Sequence, residues 1–392
     1  MRTLGVIAEY DPFHLGHARQ LAEARERSGA DRVIAVMSGC FTQRGEAALL
    51  SPDARASMAL ACGADAVFLL PAMWSLRDAE HFALGGARLL WLLGCDAISF
   101  GCEHADLPLL QRTALALESP SPAMLAAIHS RLDAGLPYPR AVSEALGLML
   151  PEALPLLSSP NDTLAVAYLR AMLRLDAPME VYPIPREGSY HATGLDAELP
   201  SATAVRAAVL RGSWERVRSA MPEPAYAVLR EEAIRGRVMR PDALDLPLLY
   251  RLRSMDDEAW EALPGLSEGI EDRLRRAAHQ AVSREELLRL AKTKRYPYAR
   301  LSRLAAHALL GLTEDLLDDT PLPPAAVLLG FRKGAEDLLR QAKARGVPLI
   351  TSSAGLKGEE DWLRTERRAW DLWCLGTGLP PGMLLTRSML VP

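Results

Sequence analysis

Short apolar runs alternate with amphipathic segments over the first 210 or so residues. The runs are TLGVIA (3–8), RVIAVM (32–37), DAVFLL (65–70) and DAISFG (96–101), each bounded by turn residues. Segments between them, such as HARQLAEARERSG and DARASMALACG, have the pattern of helices that end in a glycine. Alternation of short buried strands with helices indicates βαβ units and a parallel sheet covered on both faces. MEVYPI (179–184) is expected to join this sheet after a helical insertion near 106–175. The pattern predicts an open α/β, Rossmann-like domain with a parallel sheet over residues 1–212.

The pattern changes from about residue 213. DRLRRAAHQAVSREELLRLAK and LSRLAAHALLGL space their apolar residues three and four apart, which is typical of amphipathic helices. Extended runs are rare there, apart from AAVLLGF (325–331) and VPLIT (347–351). We therefore expect a mainly α-helical domain over 213–392, with a small α/β element near its C-terminal end.

Composition restricts the class of protein. A net charge of −4 and a pI near 6.1 argue against a uniformly basic coat for nucleic acid, although a local basic patch remains compatible with them. Five cysteines form no C-x-x-C pair, and their odd number disfavours a disulfide framework or a cysteine zinc site. No signal peptide is evident, and the apolar runs stop far short of the roughly 18–20 residues that a membrane span needs. These features predict a soluble, cytoplasmic protein.

The stretch EYDPFHLGH (9–17) follows the first predicted strand directly. Neither G-x-G-x-x-G nor G-x-x-x-x-G-K-[ST] occurs, so a glycine-rich phosphate loop is not available. Pro12 would turn the chain off the strand, Gly16 would let the backbone approach a ligand, and a helix from about His17 would direct free N–H groups at the same point. His14 and His17 would then donate hydrogen bonds to the phosphates of a nucleotide triphosphate. The alternatives are an ordinary turn or a metal site, although no acidic or cysteine partner lies at a familiar spacing.

A second stretch, SATAVR (201–206), has the pattern of a helix start. Ser201 is a candidate N-cap, and Arg206 follows about one turn later. Alone this pattern usually caps a helix. Together with the histidine pair it becomes a candidate contact for the outer oxygens of a triphosphate. Gly101, at the end of a predicted strand, and Asn161, whose amide can donate and accept, are candidates for contacts with the base or ribose. Asn161 could equally cap the helix DTLAVAYLRAM.

A basic segment extends from Arg273 to Arg303. It holds ten basic residues and two acidic ones, a net charge of +8 in an otherwise acidic chain. Tyr296 and Tyr298, in TKRYPYAR, could offer rings for base stacking. The segment is a candidate RNA-binding surface or simply a solvated helix face. The candidate RNA-binding residues are Arg276, Lys292, Lys294, Arg295 and Arg300.

These motifs resemble the H-x-G-H nucleotidyltransferase superfamily and, more closely, the bacterial tRNA(Met) cytidine acetate ligases. The resemblance is carried by GVIAEYDPFHLGH, VMSGCFTQRGEAALL, AEHFALGGARLLWLLGCDAISFGCE, SSPNDTLAVAYLRAM, SYH with SATAVR, and LSEGIEDRL with TKRYPYARLSR. Together these pieces run from residue 5 to about 303. The sequence departs from the family pattern at three places. Asp11 stands where the family commonly has asparagine, and Cys40 stands where SGNF is usual. The stretch REGSYH is one residue shorter than the usual spacing.

The resemblance implies an enzyme that activates acetate with ATP, releases pyrophosphate, and transfers the acetyl group from acetyl-adenylate to N4 of the wobble cytidine 34 of elongator tRNA(Met). No protein partner can be predicted from the sequence, and no resident metal is expected, although we expect Mg²⁺ to accompany ATP. The loop SGCFTQRGEAALL (38–50), with Gln43, Arg44 and Glu46, could cover the adenylate, or it could be an ordinary surface loop. The implied ATP contacts are Ile7, Ala8, Glu9, Tyr10, Asp11, Pro12, Phe13, His14, Gly16, His17, Gln20, Gly101, Asn161, Arg186 and Glu187.

Two other functions fit parts of the pattern. An adenylyltransferase acting on a small metabolite would leave a stable adenylylated product and would need no basic helical domain. An RNA-binding protein with a catalytically inactive nucleotide site would not need an intact His14, Gly16 and His17.

Overall fold

In the computed structural model, residues 1–186, 201–266, 269–293 and 296–392 are described. The strands are β1 (Thr3–Ala8), β2 (Arg32–Ser38), β3 (Ala66–Leu70), β4 (Ala97–Cys102), β5 (Glu180–Pro185), β6 (Ala326–Phe331) and β7 (Leu349–Ile350). The helices before β5 are α1 (Leu15–Ser28), α2 (Pro52–Ala61), α3 (Ala72–Ser75), α4 (Ala79–Leu92), α5 (Leu107–Glu118), α6 (Pro122–Asp133), α7 (Tyr138–Met149), α8 (Leu154–Ser158) and α9 (Pro160–Arg174).

The later helices are α10 (Ala202–Leu210), α11 (Trp214–Ser219), α12 (Glu223–Ile234), α13 (Asp245–Ser254), α14 (Asp257–Glu261), α15 (Ile270–Gln280), α16 (Arg284–Ala291), α17 (Tyr298–Leu310), α18 (Glu314–Asp319), α19 (Glu336–Ala344), α20 (Asp361–Gly376) and α21 (Met383–Thr386). Two short 3₁₀ turns occupy Pro151–Ala153 and Ser353–Lys357. Over the described residues, no helix has both the length and the apolar character needed to cross a bilayer.

The strands form one sheet in the order β5-β4-β1-β2-β3-β6-β7. The pairs among β5, β4, β1, β2 and β3 are all parallel, and the side chains of β1 to β4 are almost entirely buried. This confirms the α/β fold, and each of the five predicted strands begins within one residue of its expected start. The order changes direction beside β1, since β2 follows on one side and β4 pairs on the other, and such a switch point opens a crevice at the carboxyl ends of the strands.

The C-terminal strands do not form a separate element. β6 pairs antiparallel with β3, and β7 pairs parallel with β6, so both extend the sheet of the first domain. The amphipathic helix α20 packs Trp362, Trp370 and Trp373 into the same core as the sheet. Within the predicted second domain, 213–392, the last part of the chain thus packs with the sheet of the first domain. Local apolar patterns show that a run is a strand but cannot show which distant strand it joins.

The helices of residues 248–308 have a core of their own. Apolar side chains of α13, α14, α15, α16 and α17 pack together in this helical cluster, around Trp260 and Leu274. A second small core lies in the insertion between β4 and β5, where α6 and α7 pack against each other. A helical domain that begins near residue 213 stays a prediction. We propose the helical cluster as its independent unit.

Candidate active site

The loop after β1 brings the two histidines together at the start of α1. His14 is the N-cap of that helix, and its Nδ1 accepts a hydrogen bond from the Gly16 backbone N–H at 3.0 Å. The His14 backbone N–H in turn donates to His17 Nδ1 at 3.3 Å, which completes a capping box made of two imidazoles. The rings stack with their centroids 3.8 Å apart. The helix therefore begins at Leu15, two residues before the predicted start.

This arrangement determines the tautomer of both rings. An imidazole nitrogen that accepts a hydrogen bond carries no hydrogen, so each neutral ring carries its hydrogen on Nε2. Burial, followed by the charges of Arg186 and Arg206, lowers the pKa of His14 to about 3. Burial, His14 and Arg186 likewise lower the pKa of His17 well below its ordinary value. Both histidines are therefore neutral Nε2–H donors at neutral pH.

Gly16 makes room for the His14 ring. A Cβ at this position would lie 2.8 Å from His14 Cε1, so any larger residue would displace the imidazole. Gly16 itself does not line the cavity described below, and Pro12 and Phe13 are buried without lining it. The glycine thus acts by placing a side chain, whereas the sequence suggested a close approach of backbone to ligand.

A cavity of about 440 Å³ opens over the histidine pair at the carboxyl ends of β1 and β4. Most of the sequence-predicted ATP contacts line it, although they come from distant parts of the chain. Those that do are Ile7, Ala8, Glu9, Tyr10, Asp11, His14, His17, Gln20, Gly101, Asn161, Arg186, Ser201 and Arg206. Glu187 lies outside the described residues. The volume falls in the range of small-ligand sites.

Three arginines line the cavity, and Arg186 and Arg206 are the two whose charges act on His14. Arg206, on the first turns of α10, donates to the Asp11 backbone oxygen at 2.7 Å and to Asp11 Oδ2 at 3.4 Å. Asp11 Oδ1 also accepts from the Leu49 backbone N–H at 2.7 Å, so one carboxylate ties three segments together. Ser201 caps α10 by accepting from the Ala204 N–H, as its sequence pattern predicts. Arg186, directly after β5, packs its stem over Gly101, where a Cβ would lie 3.2 Å from Arg186 Cγ.

Asn161 is not a helix cap. Ser159 holds the N-cap position of α9, and Asn161 Nδ2 donates to Glu103 Oε1 at 2.5 Å. Asp162, which is fully buried, accepts from the Glu103 and His104 backbone N–H groups. Sequence reasoning missed the roles of Glu103 and Asp162 although both stand in stretches that carry the resemblance, because local sequence does not show that the two segments meet. The amide of Asn161 therefore faces the cavity from a rigid carboxylate network.

Part of the cavity lining is apolar and aromatic. Phe82, Phe100, Leu164 and Tyr168 line it, and the rings of Phe100 and Tyr168 lie 5.6 Å apart. Sequence reasoning assigned these residues to helices and strands only, since an apolar residue that lines a site has the same local pattern as one in the core. The cavity thus combines neutral N–H donors and guanidinium groups with aromatic surface. That combination suits a nucleotide, with its phosphates at the histidines and its base on the rings.

The loop 39–50 closes one side of the cavity. The Gln43 backbone N–H donates to Glu9 Oε1 at 2.6 Å, and Thr42 and Glu46 are joined by a backbone hydrogen bond of 2.9 Å. At its tip, the Gly45 oxygen accepts from Arg284 at 3.1 Å. The loop is therefore attached to β1 at one end and to the helical cluster at the other, so it is not simply a surface loop.

Among the described residues, no group of three or more His, Cys, Asp or Glu side chains is placed to hold a metal ion. The phosphate-side groups of the cavity are instead imidazole N–H donors and guanidinium groups. Their chemistry fits a polyphosphate directly.

Comparison with known proteins identifies the family. The HIGH Nucleotidyl Transferase family matches residues 1–378. A protein of Kosmotoga olearia named tRNA(Met) cytidine acetate ligase is 34% identical over 91% of this chain and 87% of its own. A protein of Levilactobacillus brevis with the same name is 34% identical over 97% of this chain and 96% of its own. The chain belongs to the tRNA(Met) cytidine acetate ligase family.

A solved structure of this family agrees with the fold. Thermotoga maritima TmcAL bound with alpha-thio ATP matches with a TM-score of 0.92 and 29% identity, covering 100% of this chain and 99% of that one. Its apo form matches with a TM-score of 0.90 over 96% of this chain. The resemblance stated from the motifs is confirmed, and a family member of the same architecture binds an ATP analogue.

The basic segment is only partly available as a surface. Arg273 donates to the Ala291 and Leu290 backbone oxygens at the end of α16, and Arg275 pairs with Asp257 and Glu271. Arg284 is turned toward Gly45 and Ser302. Among the candidate RNA-binding residues, Arg276 and Lys292 are exposed, and Lys294 and Arg295 lie outside the described residues. Part of the charge that suggests RNA binding therefore holds the helical cluster together.

The two tyrosines of this segment differ. Tyr296 is only 6% exposed and packs in the core of the helical cluster, so it is not a stacking surface; Arg300 lies over its ring and donates to the Gly265 oxygen at 2.8 Å. Tyr298 is 39% exposed and lines a second cavity. The expectation of two stacking rings is corrected to one, because a tyrosine beside basic residues has the same local pattern whether it is buried or exposed.

Proposed function

We propose that the protein is an ATP-dependent ligase that converts acetate and ATP to acetyl-adenylate and pyrophosphate and then acetylates N4 of the wobble cytidine of elongator tRNA(Met). The observation that carries the first half is the stacked pair of neutral histidines, whose Nε2–H groups face the cavity beside Arg186 and Arg206. The names of relatives with 34% identity support the substrates.

The residues suit adenylate formation without a protein nucleophile. A carboxylate oxygen of acetate attacks the α-phosphorus, and the bond from that phosphorus to the bridging oxygen breaks as pyrophosphate leaves. Neutral imidazole N–H groups can donate hydrogen bonds to the phosphate oxygens as negative charge develops on them. They do so without gaining or losing a proton themselves. Arg206 and Ser201 would hold the outer phosphates. Mg²⁺, which we expect to enter with ATP, would neutralise phosphate charge through ATP oxygens and water.

The test is incubation of the protein with ATP and radiolabelled acetate, with and without total tRNA. We expect pyrophosphate release without tRNA, and N4-acetylcytidine in nucleoside digests of elongator tRNA(Met) only when ATP is present. Acetylation driven by acetyl-CoA without ATP would overturn the mechanism. A small adenylylated metabolite with unmodified tRNA would favour a metabolite adenylyltransferase, and tRNA binding without either reaction would favour an inactive RNA-binding protein. Since tRNA and ATP are cytoplasmic, we also propose that location.

A further inference from the structure

A second cavity of about 540 Å³ adjoins the first one. It lies between the loop 39–50 and α10 on one side and the helices α13, α16 and α17 of the helical cluster on the other. Three residues line both cavities: Glu46, Thr203 and Arg206. The two cavities therefore meet at these side chains.

The turn at residues 41–47 lies between the two cavities and is held in place by hydrogen bonds and by close contact with α17. The turn at its tip is closed by the hydrogen bond from the Gly45 N–H to the Thr42 oxygen, at 2.9 Å, and Phe41 and Ala47 form a bridge behind it. Gly45 has a φ of +77°, and a Cβ there would lie 2.5 Å from the Ser302 oxygen. The Ser302 hydroxyl donates to the Arg44 oxygen and accepts from Arg284. Close contact with α17 thus fixes the position of Gly45. It therefore also places the next residue, Glu46, where the two cavities meet.

The carboxylate of Glu46 is available to a ligand. Its backbone oxygen accepts from Thr42, but its side chain has no hydrogen bond or ion pair with any residue that the structure describes. It is half-buried and faces both cavities. A carboxylate is the side-chain group that accepts hydrogen bonds from the exocyclic amine of cytosine.

We propose that the second cavity receives the acceptor nucleoside of the RNA and that Glu46 accepts a hydrogen from its exocyclic amine. This inference rests on the proposed function. The occupant follows from three observations: the cavity adjoins the adenylate site at shared side chains, its volume suits a nucleoside, and Tyr298 on its helical wall can stack on a base. The reacting base would leave its stack to enter, as in other enzymes that act on bases.

The transfer step is a nucleophilic substitution at the acetyl carbonyl carbon. The amine nitrogen attacks the acetyl carbonyl carbon, a C–N bond forms, and the C–O bond to the adenylate phosphate breaks. AMP leaves with the bridging oxygen and the electron pair of that bond. The amine hydrogen passes as a proton to the Glu46 carboxylate and from there to water or to the departing phosphate. Without such an acceptor, the attacking nitrogen would hold a positive charge as the amide forms.

The experiment loads the protein with radiolabelled acetyl-adenylate, quantifies the loaded adenylate by hydroxylamine trapping, and then mixes it with excess elongator tRNA(Met) in a rapid-quench instrument. We expect Glu46→Gln to slow acetyl transfer from the loaded adenylate by roughly 100-fold or more, the scale of losing a proton acceptor. Glu46→Asp should recover part of the rate, since it restores a carboxylate one methylene shorter. Glu215→Gln on α11, which lines neither cavity, is the matched control and should transfer normally.

A second pair of variants tests the occupant separately. Leu210 is 44% exposed at the end of α10 and lines only the second of the two cavities, so Leu210→Trp adds bulk there without disturbing a packed core. We expect it to abolish transfer to tRNA, whereas Leu246→Trp, on exposed α13 surface outside both cavities, should not. Normal transfer by Glu46→Gln would overturn the role of Glu46, and normal transfer by Leu210→Trp would overturn the acceptor cavity. A wild-type protein that never acetylates tRNA would instead refute the proposed function.

Discussion

His14 and His17 each use one ring nitrogen for the helix and leave the other for a ligand. N-caps are usually Ser, Thr, Asp or Asn, whose short side chains accept a hydrogen bond from the first turn of the helix. An imidazole can accept at Nδ1 and donate at Nε2 in the same neutral state. The sequence indicated the pair as phosphate contacts, but the cap was not predictable, because histidine is not a preferred capping residue. The cap changes what a mutation should do.

His14→Asn should separate catalysis from stability. Asparagine can replace the cap acceptor for the Gly16 N–H, but it has no donor in the position of Nε2. We expect adenylate formation to slow by roughly 100- to 1000-fold in both His14→Asn and His14→Ala. The alanine variant should in addition lose about 1 kcal/mol of unfolding free energy relative to the asparagine variant. Pyrophosphate release at saturating acetate and urea unfolding measure the two effects. Rates near wild type in both variants would remove His14 from the phosphate site.

The same histidine should make stability depend on pH. Its pKa is lowered by burial to about 3 in the folded protein, so below about pH 6.5 the unfolded chain binds a proton that the folded chain does not. Unfolding free energy should therefore fall as pH is lowered from 6.5 toward 3, by up to about 1.4 kcal/mol per pH unit from this residue. We expect the difference between wild type and His14→Asn to follow this slope in urea titrations. A difference independent of pH would show that His14 is not neutral in the folded state.

The element scale shows what local patterns can establish. β1 to β5 are predictable because each is a short apolar run between turn residues, and the start of α10 after Ser201 follows from its motif. The position of β6 was not predictable, since its partner β3 lies more than 250 residues earlier and any edge of the sheet would suit the run AAVLLGF. The shape of the cavity depends on similarly remote contacts, such as that of Arg206 with Asp11.

Glu366 on α20 provides a test of how the C-terminal helix is attached. It is fully buried and accepts from the Ala72 N–H at 2.7 Å and from Trp370 Nε1 at 3.1 Å. Burial raises its pKa to about 7, so the folded protein holds this proton over a pH range in which the unfolded chain, near 4.5, has lost it. The contribution of this protonated carboxyl group to the free energy of unfolding is therefore complete below pH 4.5 and is lost as pH rises through 7. We expect wild type to lose roughly 3 kcal/mol relative to Glu366→Gln between pH 4.5 and 8, measured by urea unfolding. Parallel curves would mean that the carboxyl group is ionised throughout.

At the scale of the molecule, adenylation and RNA binding are assigned to different surfaces. Replacing Lys292, Lys294 and Arg295 together by glutamine should weaken tRNA binding and reduce the slope of log K against log salt by roughly 2 to 3, since each lost phosphate contact removes about 0.7 to 0.9. A matched triple variant at exposed arginines elsewhere, Arg140, Arg235 and Arg364, should keep the slope while removing the same charge. Adenylate formation without tRNA should be similar in both proteins. Equal slopes in the two triple variants would make the basic segment only a solvated face.

The return of the chain to β3 also has a meaning for the protein's synthesis. During translation, β1 to β5 leave the ribosome long before β6, and until then the outer edge of β3 has no strand to pair with. Trp373, whose indole N–H donates to the Ala48 oxygen at 2.8 Å, emerges later still, so the loop beside the histidines lacks one of its supports. We therefore expect the nascent chain to complete its activating site only after β6 and Trp373 have left the ribosome. By then the helices that would bind the RNA have already emerged. The reactive acetyl-adenylate would therefore not form before the surface that binds its RNA acceptor has been made.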